Sequence, residues 1–190
     1  LDKNHLVTTG SEGEMGSEND MELFTRIHAG SEIDYLTIHI WPKNWSWIIA
    51  DSIPLTLESA IMKTNGYIAD HALVALQLNK PLVIEEFGLP RDQHKFSLDA
   101  PTTNRDRYYA NIFEKVLSSA KKNGIIAGAN FWAYGGLARP HKTRPFWKPG
   151  DDYMGDPGQE EQGLNSVFDT DTTMGIVKDY NQKIRFATSK

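Results

Sequence analysis

The sequence predicts an α/β fold of parallel strands, each followed by a helix, of the β/α-barrel type. Two observations carry that reading. Short apolar runs alternate with longer amphipathic runs about four times along the chain, and strand–helix units in series give parallel strands with right-handed crossovers. Polar and aromatic residues also gather at the C-terminal end of each apolar run: Ser11 and Glu12, His39 and Trp41, Glu85 and Glu86, then Trp132 and Tyr134. In a parallel β/α barrel all such ends open on one mouth, where catalysis sits.

Each element has a local reason. His5–Thr9 is a short apolar run closed by Gly10-Ser11-Glu12-Gly13 and reads as a strand and turn. Asp20–Ala29, with Met21, Leu23, Phe24 and Ile27, has helical spacing. Asp34–Ile40 is a second strand. Leu57–Leu78 is a long helix, with Ile61, Ile68, Leu73 and Leu76 expected on its inner face. Pro81–Ile84 is a third strand, and Gly88 closes the run. Arg105–Lys122 is a second long helix, with Tyr109, Ile112, Phe113, Val116 and Leu117 inward and Gly124 as its stop. Ile125–Phe131 is a fourth strand, and the last helix is expected from Thr172 to Phe186. Between Leu137 and Asp171 the chain is rich in Pro, Gly and aromatics. Loops beyond ~15 residues are usually functional, so this is a candidate binding loop within one domain spanning 1–190.

Composition narrows the function classes. With 24% charged and 39% hydrophobic residues the chain suits one ordinary globular domain. Zero Cys excludes disulfides, thiolate zinc sites and a Cys nucleophile. A net charge of -5 without a Lys/Arg block argues against a nucleic-acid partner. No stretch approaches the ~20 apolar residues that span a bilayer, so no membrane partner is expected. The six His form no metal-ligand spacing. Neither G-x-x-x-x-G-K-[ST] nor G-x-G-x-x-G occurs. No metal and no cofactor are therefore assigned. Leu1-Asp2-Lys3 carries neither an initiator Met nor a signal peptide, and further sequence upstream is expected.

What remains is carboxylate and aromatic chemistry. Two carboxylates flanking a sugar do acid/base or nucleophile work, and flat aromatic rings make platforms for pyranose faces. Trp41, Trp45, Trp47, Trp132 and Trp147 fall in or near strand-end loops, as platforms or as packing. Glu85 and Glu86 are adjacent on a strand, so alternation sends them to opposite sides and only one to the mouth. The other then meets a helix or a cation. His39 is a site residue or a satisfied core histidine.

Lys80-Pro81-Leu82-Val83-Ile84-Glu85-Glu86-Phe87-Gly88 resembles the nucleophile strand of glycoside hydrolase family 5, nearest to its endo-β-1,4-mannanases. The resemblance assigns the nucleophile to Glu86, the Glu directly before the aromatic-Gly pair. Asp34 to Trp45 resembles the preceding strand, whose His, here His39, lines the site. The family usually has a Tyr two residues later that donates to the nucleophile; this chain has Trp41. Thr9-Gly10-Ser11-Glu12-Gly13 resembles the end of the fifth barrel strand. Gly128 to Trp132 resembles the eighth, with Trp132 as the -1 sugar platform, and Gly163 to Asp169 resembles the segment entering the final helix. Trp41 is expected to contact substrate and Glu12 to be a substrate-contact or structural residue, with Trp45, Trp47 and Trp147 at more distant subsites.

The resemblance implies the C-terminal half of a (β/α)8 TIM barrel, strands 5 to 8 with their helices. The family acid/base is the Glu of an Asn-Glu-Pro motif on the fourth strand, and no Asn-Glu-Pro occurs here. The expectation is a retaining, endo-acting mannan hydrolase of which this chain holds only the nucleophile half. The isolated chain is then inactive, and its partners are β-mannan and either the missing N-terminal half-barrel or a second copy. A cellulase of the same family and a noncatalytic carbohydrate-binding half-barrel are the alternatives. Because polymeric mannan does not enter cells, the resemblance implies an extracellular or periplasmic location.

Overall fold

Leu36–Ile40, Leu82–Phe87 and Ile126–Ala129 form β1, β2 and β3 of a parallel sheet in that order, in a computed structural model that describes residues 4–189. β1 is buried at Leu36, Thr37, Ile38 and Ile40, as befits a parallel strand covered on both faces. Helix α1 (Met21–His28) precedes β1, α2 (Ile53–Leu78) joins β1 to β2, and α3 (Thr103–Lys121) joins β2 to β3. α4 (Thr173–Thr188) closes the chain and lies against α3, where Phe113 stacks on Tyr180 at 6.0 Å.

Helix ends follow from their caps. The Asp20 carboxylate accepts from the Glu22 and Leu23 amides and starts α1. α2 begins at Ile53, four residues before the expected Leu57, because Pro54 is well suited to a first helical turn. Asn79, in the left-handed region, ends it. α3 starts at Thr103 rather than Arg105, because the Asp92 carboxylate accepts from the Asn104 amide at 3.1 Å. That cap lies twelve residues upstream, outside any local helix signal.

Three expectations are corrected. His5–Thr9 is not a strand: the segment runs beside β1, but side chains interrupt its ladder. Asp34 N–H donates to the Val7 carbonyl and His39 N–H to the Glu12 carbonyl, at 2.8 and 3.0 Å. Between them, the Thr8 hydroxyl donates to the Tyr35 carbonyl and the Thr37 hydroxyl to the Ser11 carbonyl. Secondly, Leu73 and Leu76 are exposed. The buried stripe of α2 is Leu57, Ala60, Thr64, Tyr67, Ile68, His71, Val74 and Ala75, and residue 73 lies on the opposite side of a 3.6-residue helix from Leu57. Thirdly, the fourth strand stops at Ala129, although the Asn130 and Trp132 amides still donate to the Ile84 and Phe87 carbonyls. A second parallel pair, β4 (Tyr134–Gly136) and β5 (Val167–Phe168), is too short to show a sequence period.

The long loop 137–171 is organised around Asp156, which is fully buried and accepts from the Gly163 and Asn165 amides at 2.8 and 3.0 Å. Arg105 of α3, also fully buried, ties that loop to the sheet. It donates to the carbonyls of Leu89 (2.7 Å), Ser166 (2.9 Å) and Leu164 (3.4 Å) and pairs with Asp171. Arg91 pairs with the same Asp171.

Candidate active site

Between Ile38 and His39 the pairing of β1 with β2 slips: Ile38 faces Ile84, but His39 faces Glu86. Glu85 is the extra residue of a β-bulge, and a bulge re-aims side chains by breaking the two-residue alternation. Both carboxylates therefore come to one side, which corrects the expectation that Glu85 and Glu86 point apart. His39 lies between them, its Nε2 3.2 Å from Glu85 Oε2 and its Nδ1 3.3 Å from Glu86 Oε2. Glu85 also reaches toward Gly10, where an added Cβ would lie 3.8 Å from its Oε2.

Glu86 opens on a cleft of about 300 Å³ lined by Trp41, Asn44, Glu86, Trp132, Glu160 and Asn165 together with Pro157. Trp41 leaves β1 directly after Ile40, and the Trp132 amide donates to the Phe87 carbonyl at 2.8 Å. The Trp132–Ala133 peptide bond is cis. Gly88 lets these parts approach: a Cβ there would meet Trp41 Cζ3 at 2.8 Å and the Trp132 carbonyl at 2.9 Å. A carboxylate flanked by two indoles suits a sugar ring, whose apolar faces meet the indoles and whose hydroxyls meet the polar groups.

The structure brings together Glu86, His39, Trp41 and Trp132 of the residues singled out in the sequence. It places Glu12 at the edge of this arrangement, its carbonyl accepting from the His39 amide and the Tyr67 hydroxyl. Trp45 packs with Trp47 and Tyr67, at 4.9 and 5.1 Å between ring centroids. Trp147 lies in the long loop, its indole N–H donating to the Asp151 carbonyl. Neither Trp45 nor Trp147 lines the cleft with Glu86. Asn44, Glu160 and Asn165 were not singled out. Asn44 and Asn165 fall inside stretches that carried the resemblance, whereas Glu160 lies in a loop without any periodic signal.

Two buried histidines fasten the strand-like edge of the site. Each ring Nδ1 faces the carbonyl four residues earlier on its helix, Phe24 for His28 and Tyr67 for His71. Nε2 is then the acceptor, from the Thr9 hydroxyl for His28 and from the Glu14 amide for His71. Burial lowers both below the ordinary histidine value, His71 to about 4. Burial also raises Tyr67, whose hydroxyl holds the Glu12 carbonyl.

Known proteins share this arrangement of elements. A family model described as glycoside hydrolase family 5 β-mannosidase-like matches residues 1–189. Mannan endo-1,4-β-mannosidase 4 of Solanum lycopersicum is 30% identical over 144 residues, covering 70% of this chain and 33% of its own length. Mannan endo-1,4-β-mannosidase 1 of Oryza sativa subsp. japonica is 26% identical over 200 residues, 98% of this chain and 40% of its own. The chain thus spans well under half the length of these curated relatives. Among solved structures, a glycoside hydrolase family 5 mannosidase from Rhizomucor miehei superposes with a TM-score of 0.86 at 36% identity, over 97% of this chain and 44% of that one. An endo-1,4-β-D-mannanase from Thermotoga petrophila RKU-1, at 19% identity and a TM-score of 0.52, shares the fold.

Proposed function

The chain belongs to the glycoside hydrolase family 5 β-mannosidase-like family, and on that premise we propose that it is the nucleophile half of a retaining, endo-acting hydrolase of β-1,4-mannosidic bonds. The observation that carries this reading is Glu86, set between the indole-bearing walls of the cleft with His39 Nδ1 3.3 Å from its carboxylate. Glu86 would attack the anomeric carbon and form a glycosyl-enzyme ester as the leaving oxygen takes a proton from a second carboxyl. That carboxyl, about 5–5.5 Å away in retaining enzymes, would then draw a proton from the water that cleaves the ester. Trp132 and Trp41 would hold the sugar. No Asn-Glu-Pro occurs in the sequence, so we assign the acid/base to residues outside this chain.

In this reading β1, β2, β3 and the edge segment before α1 are the last four staves of a (β/α)8 barrel. The superposition on the Rhizomucor mannosidase, over nearly all of this chain but 44% of that one, supports it. The partner is then the N-terminal barrel half, or a second copy in its place. On this reading the substrate is polymeric, which supports a location outside the cell or in the periplasm. A second reading is an exo-acting β-mannosidase, favoured by the family description and by the 36% identity to that mannosidase.

The test is reducing-sugar release from β-mannan by the chain alone and mixed with the N-terminal half of a family relative. We expect no release alone, release on mixing, and loss of that release with Glu86→Gln. Turnover by the chain alone would overturn the half-barrel reading, and turnover that survives Glu86→Gln would overturn the nucleophile. Mixed oligosaccharides as products support endo action, mannose alone the exo reading. Release from β-1,4-glucan instead of mannan would indicate a cellulase. Binding to mannan by a complemented chain that never cuts it would indicate a noncatalytic module.

A further inference from the structure

We propose that Glu85 is a positioning residue, which orients the Glu86 carboxylate through the imidazole of His39; this rests on the reading of Glu86 as nucleophile. The bulge is the first observation. It costs the sheet a regular ladder position, and its effect is to turn Glu85 toward the same histidine that Glu86 touches. Bulges beside active sites commonly re-aim a side chain in this way.

The second observation is the division of labour around the ring. Where relatives of this family usually carry a Tyr that donates to the nucleophile, this chain has Trp41, which has no hydroxyl. The ring atom that faces Glu86 is His39 Nδ1, at 3.3 Å. An imidazole turns about its χ angles unless something holds its far side. Here Glu85 Oε2 does so, 3.2 Å from Nε2. Ionised carboxylates only accept hydrogen bonds, so Nε2 is the donor to Glu85, and that bond fixes which way the ring faces. The His39 amide is anchored independently to the Glu12 carbonyl at 3.0 Å, so the ring has a fixed base and needs only this lateral stop.

The role is one of direction, which makes the conservative variant informative. The carbonyl oxygen of Glu85→Gln still accepts from Nε2, whereas Glu85→Ala removes the stop. The chain labelled with ¹⁵N at histidine reports this directly, with the His39 ring resonances assigned by their loss in His39→Gln. We expect them to shift and broaden in Glu85→Ala and to stay near their original positions in Glu85→Gln. The buried His28 and His71 rings, unchanged in both, certify the fold; should Glu85→Ala disturb them, Glu85→Ser takes its place. In the complemented enzyme, Glu85→Ala is expected to lower kcat on the order of 10- to 100-fold with KM within about twofold, since a nucleophile displaced by an ångström loses about that much. Glu85→Gln should recover most of it.

Unchanged His39 resonances in Glu85→Ala would overturn the proposal. So would equal losses of kcat in the Ala and Gln variants, which would mark a role for charge instead. Failure of the nucleophile reading shows separately, as turnover that survives Glu86→Gln while the His39 resonances still respond to Glu85.

Discussion

At Gly88 the side chain is a hydrogen atom, and the walls of the cleft close in on it. A methyl group there would lie 2.8 Å from Trp41 Cζ3, 2.9 Å from the Trp132 carbonyl and 3.3 Å from Asn165 Oδ1. Because the Trp132 contact is with backbone, the strain cannot be relieved by a rotamer change alone. Gly88→Ala is expected to destabilise the fold by about 1–3 kcal/mol, as overpacking does, and to weaken mannooligosaccharide binding by the complemented enzyme. Urea unfolding and a binding titration would check this, and wild-type values in both would contradict it. At this scale the ends of apolar runs pointed to residues that the structure gathers in one place, His39, Trp41 and Trp132 around Glu86. Asn44, Glu160 and Asn165 escaped because a loop polar residue looks the same whether it meets water or a ligand. Glu85 escaped for another reason: alternation assigned it the wrong side, and only the slip in pairing reverses that.

Among the elements, the helices themselves were legible because apolar residues repeat along them, although the inward stripe of α2 was misjudged at Leu73 and Leu76, and the start of α3 moved where its cap, Asp92, came from afar. The first expected strand was not realised because Thr8 and Thr37 divert its hydrogen bonds to side chains. That edge is instead held to α1 and α2 by His28 and His71, and the consequence is acid sensitivity. His71 has an ordinary value of 6.5, lowered to about 4 chiefly by burial and slightly by nearby His28, against the raising influence of the Tyr67 carbonyl and Asp70. Between those values the unfolded chain binds a proton that the folded chain refuses. The stabilisation is complete above about pH 6.5 and is lost as the pH falls to about 4, on the order of 3 kcal/mol. His28, lowered by burial and by Lys80, acts in the same direction. Glu14, raised by burial and Asp70, opposes them at the carboxylate end of the range. The urea midpoint should fall from pH 7 to pH 4.5 in the wild type and fall less in His71→Gln; equal slopes would refute the assignment.

For the molecule as a whole, the sheet ends abruptly. β3 has β2 on one side and no strand on the other among the described residues. A groove of about 390 Å³ runs between β3, α3 and α4, with Phe113, Val116, Phe131, Val177 and Ile184 in its lining. An open parallel edge over apolar side chains invites another chain. Sedimentation at micromolar concentration should show self-association of the chain alone and a one-to-one complex with an N-terminal barrel half; a monomer under both conditions would contradict the half-barrel. The 163–168 stretch is held by different means. Arg105 sits at the hub of the Leu89, Leu164 and Ser166 carbonyls and Asp171. Lifting the 163–168 stretch would strand a guanidinium in the core, and breaking a buried pair costs about 3–5 kcal/mol. Asn165, which lines the cleft beside Trp132, therefore sits on a stretch that resists lifting. On the proposed reading, a sugar chain would enter a cleft whose Asn165 side stays in place.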